Sequence, residues 1–342
     1  MFIFNLQLFA NHVNVTTDKR TGNQTYPTYN DLSAEMKTFY DMTLIDEASA
    51  ALVHDQFGQK RPIPQGSGKT IEFRKFSALP KALTALTEGV TPDGKRLEVT
   101  SFTATVAQYG DYITQSDVLE LTALDNTILE ATKLLGRQAG LTLDTITRNV
   151  LSTGTNYSYC PKVGADGSET AVTDKANLDT TCQLTVKQVQ KIVAKLRGQN
   201  APTINGKYVA IVHPYVAYSL MRDPEWINVK SYSDPSHLYE GEVGEIGGVR
   251  FVQTTEALIE RNTSHAVFHS FFIGEGAYGV TEITGGGLQT IVKQKGSAGT
   301  ADPLDQRSSV GWKAIKTAEL LIPQYLVDCM SCVADFDTTP AN

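Results

Sequence analysis

The chain has 342 residues, of which 41% are hydrophobic and 20% charged, a globular composition that supports a substantial core and excludes wholesale disorder. Thirty Lys+Arg against 37 Asp+Glu give a formal charge of −7, and no cluster of four or more basic residues occurs. Tight sequence-independent DNA binding, which rests on neutralising phosphates, is therefore not expected. A membrane span is not expected either, because no apolar run approaches the roughly 20 residues it needs.

At the start of the chain, Phe2, Phe4, Leu6 and Leu8 alternate as in a strand. A signal peptide would carry a positive start and a small-residue cleavage site, and neither is present. The segment reads as an exposed arm, with a frayed terminus as the alternative, and residues 11–30 read as extended linker. A helix begins near Asn30-Asp31, either of which can cap exposed amides. Leu32, Met36, Phe39, Tyr40, Leu44, Ala48, Ala51 and Leu52 recur at three and four, and the helix ends near Gly58.

After the break at residues 62–68, Thr70–Phe76 alternates as a strand. Thr91-Pro92-Asp93-Gly94 has tight-turn chemistry, with Pro presetting φ and Gly tolerating the reversal. On the return limb Leu97, Val99, Phe102, Ala104 and Val106 are mostly two apart. Residues 62–112 are thus expected to form one projecting two-stranded loop. Ser116-Asp117 opens a long helix, with Asp117 and Glu120 placed as in a capping box. Leu121, Leu124, Ile128, Ala131, Leu135, Ala139, Thr142, Ile146 and Val150 continue one stripe to about Ser152. That is about 36 residues, or roughly 54 Å at 1.5 Å per residue. Gly136 and Gly140 inside it imply close approach of a neighbouring element, or a mild bend.

Tyr157–Thr181 is polar and turn-rich. A helix follows with Thr185 as cap and Val186, Val189, Ile192, Val193 and Leu196 inward. Lys207–Val212 reads as a buried strand, and a short helix starts at Pro214, where a missing amide hydrogen does no harm. Glu225–Glu240 reads as loop, and strands at Val249–Thr254 and His265–Ile273 complete an α/β unit. Leu288–Val292, Val310–Ala318 and Leu320–Val333 are β-type runs, expected to pair back beside the long helix.

Chemistry-bearing motifs are weak. Gly66-Ser67-Gly68-Lys69-Thr70 mimics the end of a phosphate-binding loop, but the full motif needs a glycine five residues before Gly68, a strand in front and a helix behind. Position 63 is Ile, prolines flank it, and a strand follows. Of the six histidines, His265 and His269 share one strand face and His213 precedes a proline, and none sits in a metal-ligating helical pair. Cys329 and Cys332 form a C-x-x-C near strand residues, where i and i+3 face opposite sides, and Cys160 and Cys182 offer no second close pair. No nucleophile-elbow motif occurs. Neither catalysis, nor a metal, nor a cofactor is expected.

Several short stretches nevertheless carry a pattern: Glu88-Gly89-Val90-Thr91-Pro92, Tyr109-Gly110-Asp111-Tyr112, Ser116-Asp117, Ile246-Gly247-Gly248-Val249-Arg250-Phe251, Gly274-Glu275-Gly276-Ala277-Tyr278-Gly279, and Asp302-Pro303-Leu304-Asp305-Gln306-Arg307 before Val310-Gly311-Trp312-Lys313. None is specific alone. In this order, over about two thirds of the chain, they resemble the major capsid proteins of tailed bacteriophages, and are most similar to the phage N-four-type branch.

That resemblance implies an α+β, Hong Kong 97-like capsid fold. It divides the chain into an N-terminal arm and first helix (1–61), an extended loop (62–112), a peripheral domain with a spine helix (113–183), an axial domain (184–284) and a second peripheral segment (285–342). It implies a structural protein that self-assembles into hexamers and pentamers of an icosahedral head enclosing double-stranded DNA without sequence-specific contacts. Assembly would occur in the bacterial host cytoplasm, with a separate scaffolding protein and a portal protein as partners. The intersubunit contacts expected from it are Lys75, Phe76, Leu79, Leu83, Leu86, Glu88 and Arg96, and the spine-helix core is Leu124, Ile128, Leu135 and Ile146. Some relatives cross-link loop lysines to asparagines, but no acceptor is identifiable here for Lys69, Lys75, Lys81 or Lys95. The rival readings are an encapsulin-like bacterial nanocompartment shell and a nucleotide-binding enzyme resting on residues 66–70.

Overall fold

The computed structural model describes residues 42–45, 47–48, 52–64, 66, 68–76, 79, 81–85, 88–89, 91, 94–122, 127–164, 166–224, 226, 244–282, 286–297 and 302–342. The expectations for the N-terminal arm, the Pro92-Asp93 turn and most of the 225–240 loop lie outside these residues. In chain order the elements are α1 (helical at 42–45 and 47–48), β1 (Gln59–Lys60), β2 (Thr70–Phe76), β3 (Val99–Thr105), β4 (Ala107–Ser116), α2 (Asp117–Thr122), α3 (Thr127–Leu151), β5 (Tyr157–Tyr159), β6 (Lys162–Val163), β7 (Glu169–Thr170), α4 (Val186–Gly198), β8 (Tyr208–Val212), α5 (Pro214–Met221), β9 (Glu245–Ile246), β10 (Val249–Gln253), β11 (Ile259–Arg261), β12 (Ala266–Ile273), β13 (Tyr278–Glu282), β14 (Gln289–Lys293), β15 (Arg307–Leu320) and β16 (Leu326–Ser331).

The chain forms two compact units, each discontinuous in sequence, and α3 and β15 contribute residues to both. One takes in the described residues of Met1–Val53, Ala107–Thr145 and Ile283–Lys316; the other takes in those of His54–Val106, Ile146–Glu282 and Thr317–Asn342.

In the first unit β15 is flanked by antiparallel neighbours on both edges. Its residues Arg307–Lys316 pair with β4, and Ser309–Lys313 pair with β14. Gln138 of α3 ties helix to sheet twice: its Nε2 donates to Asp111 Oδ2 at 2.7 Å, and its Oε1 accepts from Trp312 Nε1 at 3.3 Å. The helix buries Ala131, Leu135, Ala139 and Leu143, the spacing of a helix with one covered stripe.

The second unit is built on a mixed seven-stranded sheet ordered β5-β16-β12-β8-β10-β9, with β11 pairing β12. The helices α4 and α5 pack on one face: Val189, Ile192, Val193, Leu196, Val216 and Leu220 join Ala210, Val212, Phe268, Phe272 and Val327 in one core cluster. The cap residue Thr185 accepts from Gln188 N at 3.3 Å, and Pro214 stands at the first helical position of α5. Between β9 and β10, Gly247 and Gly248 both have positive φ, 60° and 82°, and Ile246 faces Val249 across the turn. Two successive positive φ values are what a two-residue hairpin turn of the primed type requires.

Three expectations are corrected. The helix expected to run unbroken from Asp117 is a six-residue helix, Asp117–Thr122, and a separate α3 beginning at Thr127. The loop expected to extend to 112 ends earlier, because Ala107–Ser116 is a full strand of the first unit's sheet; its partner lies some 200 residues away and leaves no local signal. Finally, Leu326–Ser331, expected to pair back beside the long helix, belongs to the second unit's sheet. It is an interior strand between β12 and β5, and all six of its residues are buried, the mark of a strand covered on both faces.

Candidate assembly surface

The resemblance implies a shell protein, whose functional residues would be those that meet other subunits. One group of exposed apolar side chains, which includes Leu83 at 86%, lies along and beyond the β2–β3 hairpin. Seven residue pairs, from Thr70↔Thr105 to Phe76↔Val99, zip the two strands together. The base is anchored: Phe73 and Ala104 are buried against Leu321, with Ile71, Phe102 and Ile322 packed around them. Arg61 places its guanidinium 5.9 Å from the Phe73 ring centroid.

At the outer end of the paired strands and past it, the described apolar side chains are exposed. Leu79 and Leu83 are 60% and 86% exposed, Leu97 and Val99 are exposed too, and so are Glu88 and Arg96. Lys75 and Phe76 occupy the last two positions of β2, opposite Thr100 and Val99. Leu86 and Leu124 lie outside the described residues. Of the spine-helix residues, Leu135 is 2% exposed, while Ile128 and Ile146 are half-buried.

Sequence reasoning did not single out a second set of exposed apolar side chains, Tyr112, Val118, Leu134 and Leu304 of the first unit. Leu134 gave no signal because it precedes the buried Leu135 in an apolar run. Tyr112 alternates with Asp111 on β4, and only the register with β15 shows which face it takes.

The rejected motifs are explained by their surroundings. Gly66 and Gly68 take positive φ, 84° and 88°, and the exposed Lys69 is followed by a strand and not by the helix that a phosphate-binding loop needs. His269 is buried with its Nδ1 2.8 Å from Asp328 Oδ2, and His265 Nδ1 is 2.9 Å from Asp337 Oδ2. Both are partnered polar residues of the fold, and their carboxylates come from a C-terminal stretch that no local spacing connects to them. His213 caps α5, accepting from Tyr215 N at 3.2 Å, and burial pushes its imidazole down to about 4. All four cysteines are buried and free. Cys329 and Cys332, expected to face opposite sides, are both inside.

Two of the motif stretches are strand partners. Tyr112, Asp111 and Gly110 of β4 stand opposite Gly311, Trp312 and Lys313 of β15. A Cβ on Gly110 would lie 2.5 Å from the Trp312 carbonyl oxygen, and one on Gly311 would lie 2.7 Å from the Cβ of Tyr112, so each glycine permits the close ladder beside the other's motif. Residues 99–318, a span that contains both, match the family model described as phage capsid protein. The chain belongs to this family of phage capsid proteins.

Solved capsids agree on the fold. This capsid protein is similar to a chain of the capsid of cyanophage P-SCSP1u, with a TM-score of 0.62 at 13% identity, covering 82% of this chain and 88% of that one. For the cyanophage Pam1 capsid the TM-score is 0.61 at 12% identity, covering 94% and 98%. For the capsid of Ralstonia phage GP4 it is 0.59 at 13% identity, covering 84% and 90%. No curated protein sequence matches the chain. The fold is the α+β, Hong Kong 97-like capsid fold, and the protein is a structural, non-enzymatic component of the virion shell.

Proposed function

We propose that this chain, the major capsid protein of an icosahedral phage head, closes its shell as hexamers and pentamers whose neighbours are gripped by the loop beyond β2 and β3. The observation that carries this is the contrast along the hairpin, with a base anchored by Phe73 and Ala104 and an outer part that leaves Leu79 and Leu83 exposed. Exposed leucines at such density mark a surface awaiting a partner. The contact residues are Lys75, Phe76, Leu79, Leu83, Leu86, Glu88 and Arg96, and the partner is another copy of the same chain.

A separate scaffolding protein and a portal protein complete the partners of assembly. The enclosed double-stranded DNA is confined without sequence-specific contacts, in keeping with the net charge of −7. Within the family, the order of the short motifs favours the N-four-type branch. The domain boundaries proposed from that resemblance stand as a functional division into arm, loop, peripheral and axial parts, with β4 and β16 reassigned as described.

The test is a double substitution, Leu79→Asp with Leu83→Asp, in protein co-expressed with the candidate scaffold. The expected result is an unchanged cooperative melt by circular dichroism and no closed shells by electron microscopy. Normal shells from the doubly charged loop would refute the grip.

A further inference from the structure

The four buried cysteines are not equivalent. The sulfur atoms of Cys160 and Cys329 lie 3.6 Å apart. Cys182 directs its thiol to Asp179 Oδ1, also at 3.6 Å, and Cys332 meets Cys182 through the backbone, its N–H donating to the Cys182 carbonyl at 2.9 Å. Among the described residues no group of three or more His, Cys, Asp or Glu has the geometry to hold a metal ion. The arrangement therefore poses a two-sulfur question.

The backbone places Cys160, just past the end of β5, diagonal to Cys329 of β16. β5 runs parallel to β16 with Tyr157 opposite Asp328, Ser158 opposite Cys329 and Tyr159 opposite Met330, and the Cys160 N–H donates to the Met330 carbonyl at 3.0 Å. Both thiols belong to the same core cluster. A disulfide needs the sulfurs at about 2.05 Å, closer than they stand as two thiols.

We propose that Cys160 and Cys329 are a redox pair that stays as two thiols in the host cytoplasm and closes to an intrachain disulfide once the particle meets an oxidising medium, stapling β5 to β16. Reducing compartments keep thiols free, and oxidising ones let bonds persist. With a peroxide as oxidant, one cysteine sulfur attacks a peroxide oxygen. The O–O bond breaks, a sulfenic acid forms, and the departing hydroxide takes a proton to become water. The other cysteine sulfur then attacks the sulfenic sulfur. The S–S bond forms, the S–O bond breaks, and the hydroxyl leaves as a second water with the remaining thiol proton. The two sulfurs lose two electrons and the peroxide gains them. The hydrogen bond to Cys329, together with burial, holds the Cys160 thiol well above the ordinary thiol range. Thiolate is scarce, so closure is slow and speeds up as pH rises.

The experiment uses the full chain in purified particles, treated either with hydrogen peroxide or with dithiothreitol, then unfolded with iodoacetamide present and digested for mass spectrometry. The expected result after peroxide is a peptide joining Cys160 to Cys329 that dithiothreitol splits, with Cys182 and Cys332 alkylated. The oxidised particles should also melt at a higher temperature than the reduced ones. Cys160→Ala should abolish both effects and Cys182→Ala neither. Full alkylation of Cys160 and Cys329 after peroxide, or linkage through Cys182 or Cys332, overturns the pairing. A Cys160–Cys329 peptide with no rise in melting temperature overturns the staple. The wild-type mapping decides the pairing even where a variant fails to fold.

Discussion

A Cβ placed on Gly136 would lie 2.7 Å from the carbonyl oxygen of Leu44 and 3.1 Å from the Cβ of Glu47, so α3 meets α1 almost backbone to backbone at this point. Two effects of Gly136→Ala compete. In an unobstructed helix interior alanine gains about 1 kcal/mol over glycine, whereas forcing an atom into a filled contact costs about 1–3 kcal/mol. The obstructing atom is backbone and cannot swing aside, so the clash wins. The variant should denature at a lower temperature than the wild type; a rise in melting temperature would show that α1 gives way freely.

The sequence announced this contact as a glycine inside an apolar helical stripe, without naming the neighbour. The same holds for much of the fold. Elements whose cause is local were readable: Thr185 capping α4, Pro214 opening α5, and the alternation of β2 and β3. What could not be read was pairing across long separations. β4 looks like part of a loop until its partner 307–316 is known, and Asp328 looks like an oddity in an apolar run until His269 stands beside it. For the assembly surface, the loop leucines were named through the family resemblance and not from local pattern. Leu134 and Tyr112 were not legible, because only tertiary packing decides which side chain of an apolar run is left outside.

Leu135 lies midway along α3 and is 2% exposed. Leu135→Asp removes packing on the order of 2–5 kcal/mol and adds a carboxylate to an apolar site, which deepens the loss. The expected outcome is insoluble or unfolded protein on expression, checked by the soluble fraction and circular dichroism. Soluble, shell-forming Leu135→Asp protein would place this face of the helix in solvent.

His213 gives the second unit a pH dependence whose sign is fixed. Burial pushes its imidazole from 6.5 down to about 4, so the unfolded chain takes up the proton first as pH falls. Stability is therefore full above 6.5 and is lost progressively as pH drops toward 4. His213→Asn keeps a capping acceptor for Tyr215 N and removes the titration. Denaturant midpoints measured across that window should change less with pH in the variant; an identical pH slope would remove His213 from the account. Lost ring contacts with Tyr215 and Phe268 shift the variant's midpoints without changing this slope.

Lys69 is an exposed turn residue before β2. Lys69→Ala should leave stability within about 0.5 kcal/mol of wild type, as for surface substitutions in general, and should leave shell formation intact. Micromolar ATP binding that the substitution abolishes, measured by isothermal titration, would contradict this reading of the glycine-rich turn.

Excision of residues 78–95, with a short glycine-containing turn joining the strands, separates folding from assembly. The anchoring residues Phe73, Ala104 and Leu321 all survive the excision, as does the β2–β3 ladder from Thr70 to Phe76. Shortening a surface loop changes closure entropy only slowly with length, and none of the described residues in the excised segment belongs to the cluster that holds the hairpin base. The shortened chain should therefore keep a cooperative melt close to that of the wild type. It should form no closed shells, because Leu79, Leu83, Leu86 and Glu88 leave with the excised segment. Circular dichroism reads the first outcome and electron microscopy the second. Unfolding would move the loop into the core of its unit, and normal shells would move the grip between subunits to another surface, for which exposed Leu134, Val118, Tyr112 and Leu304 are the next candidates.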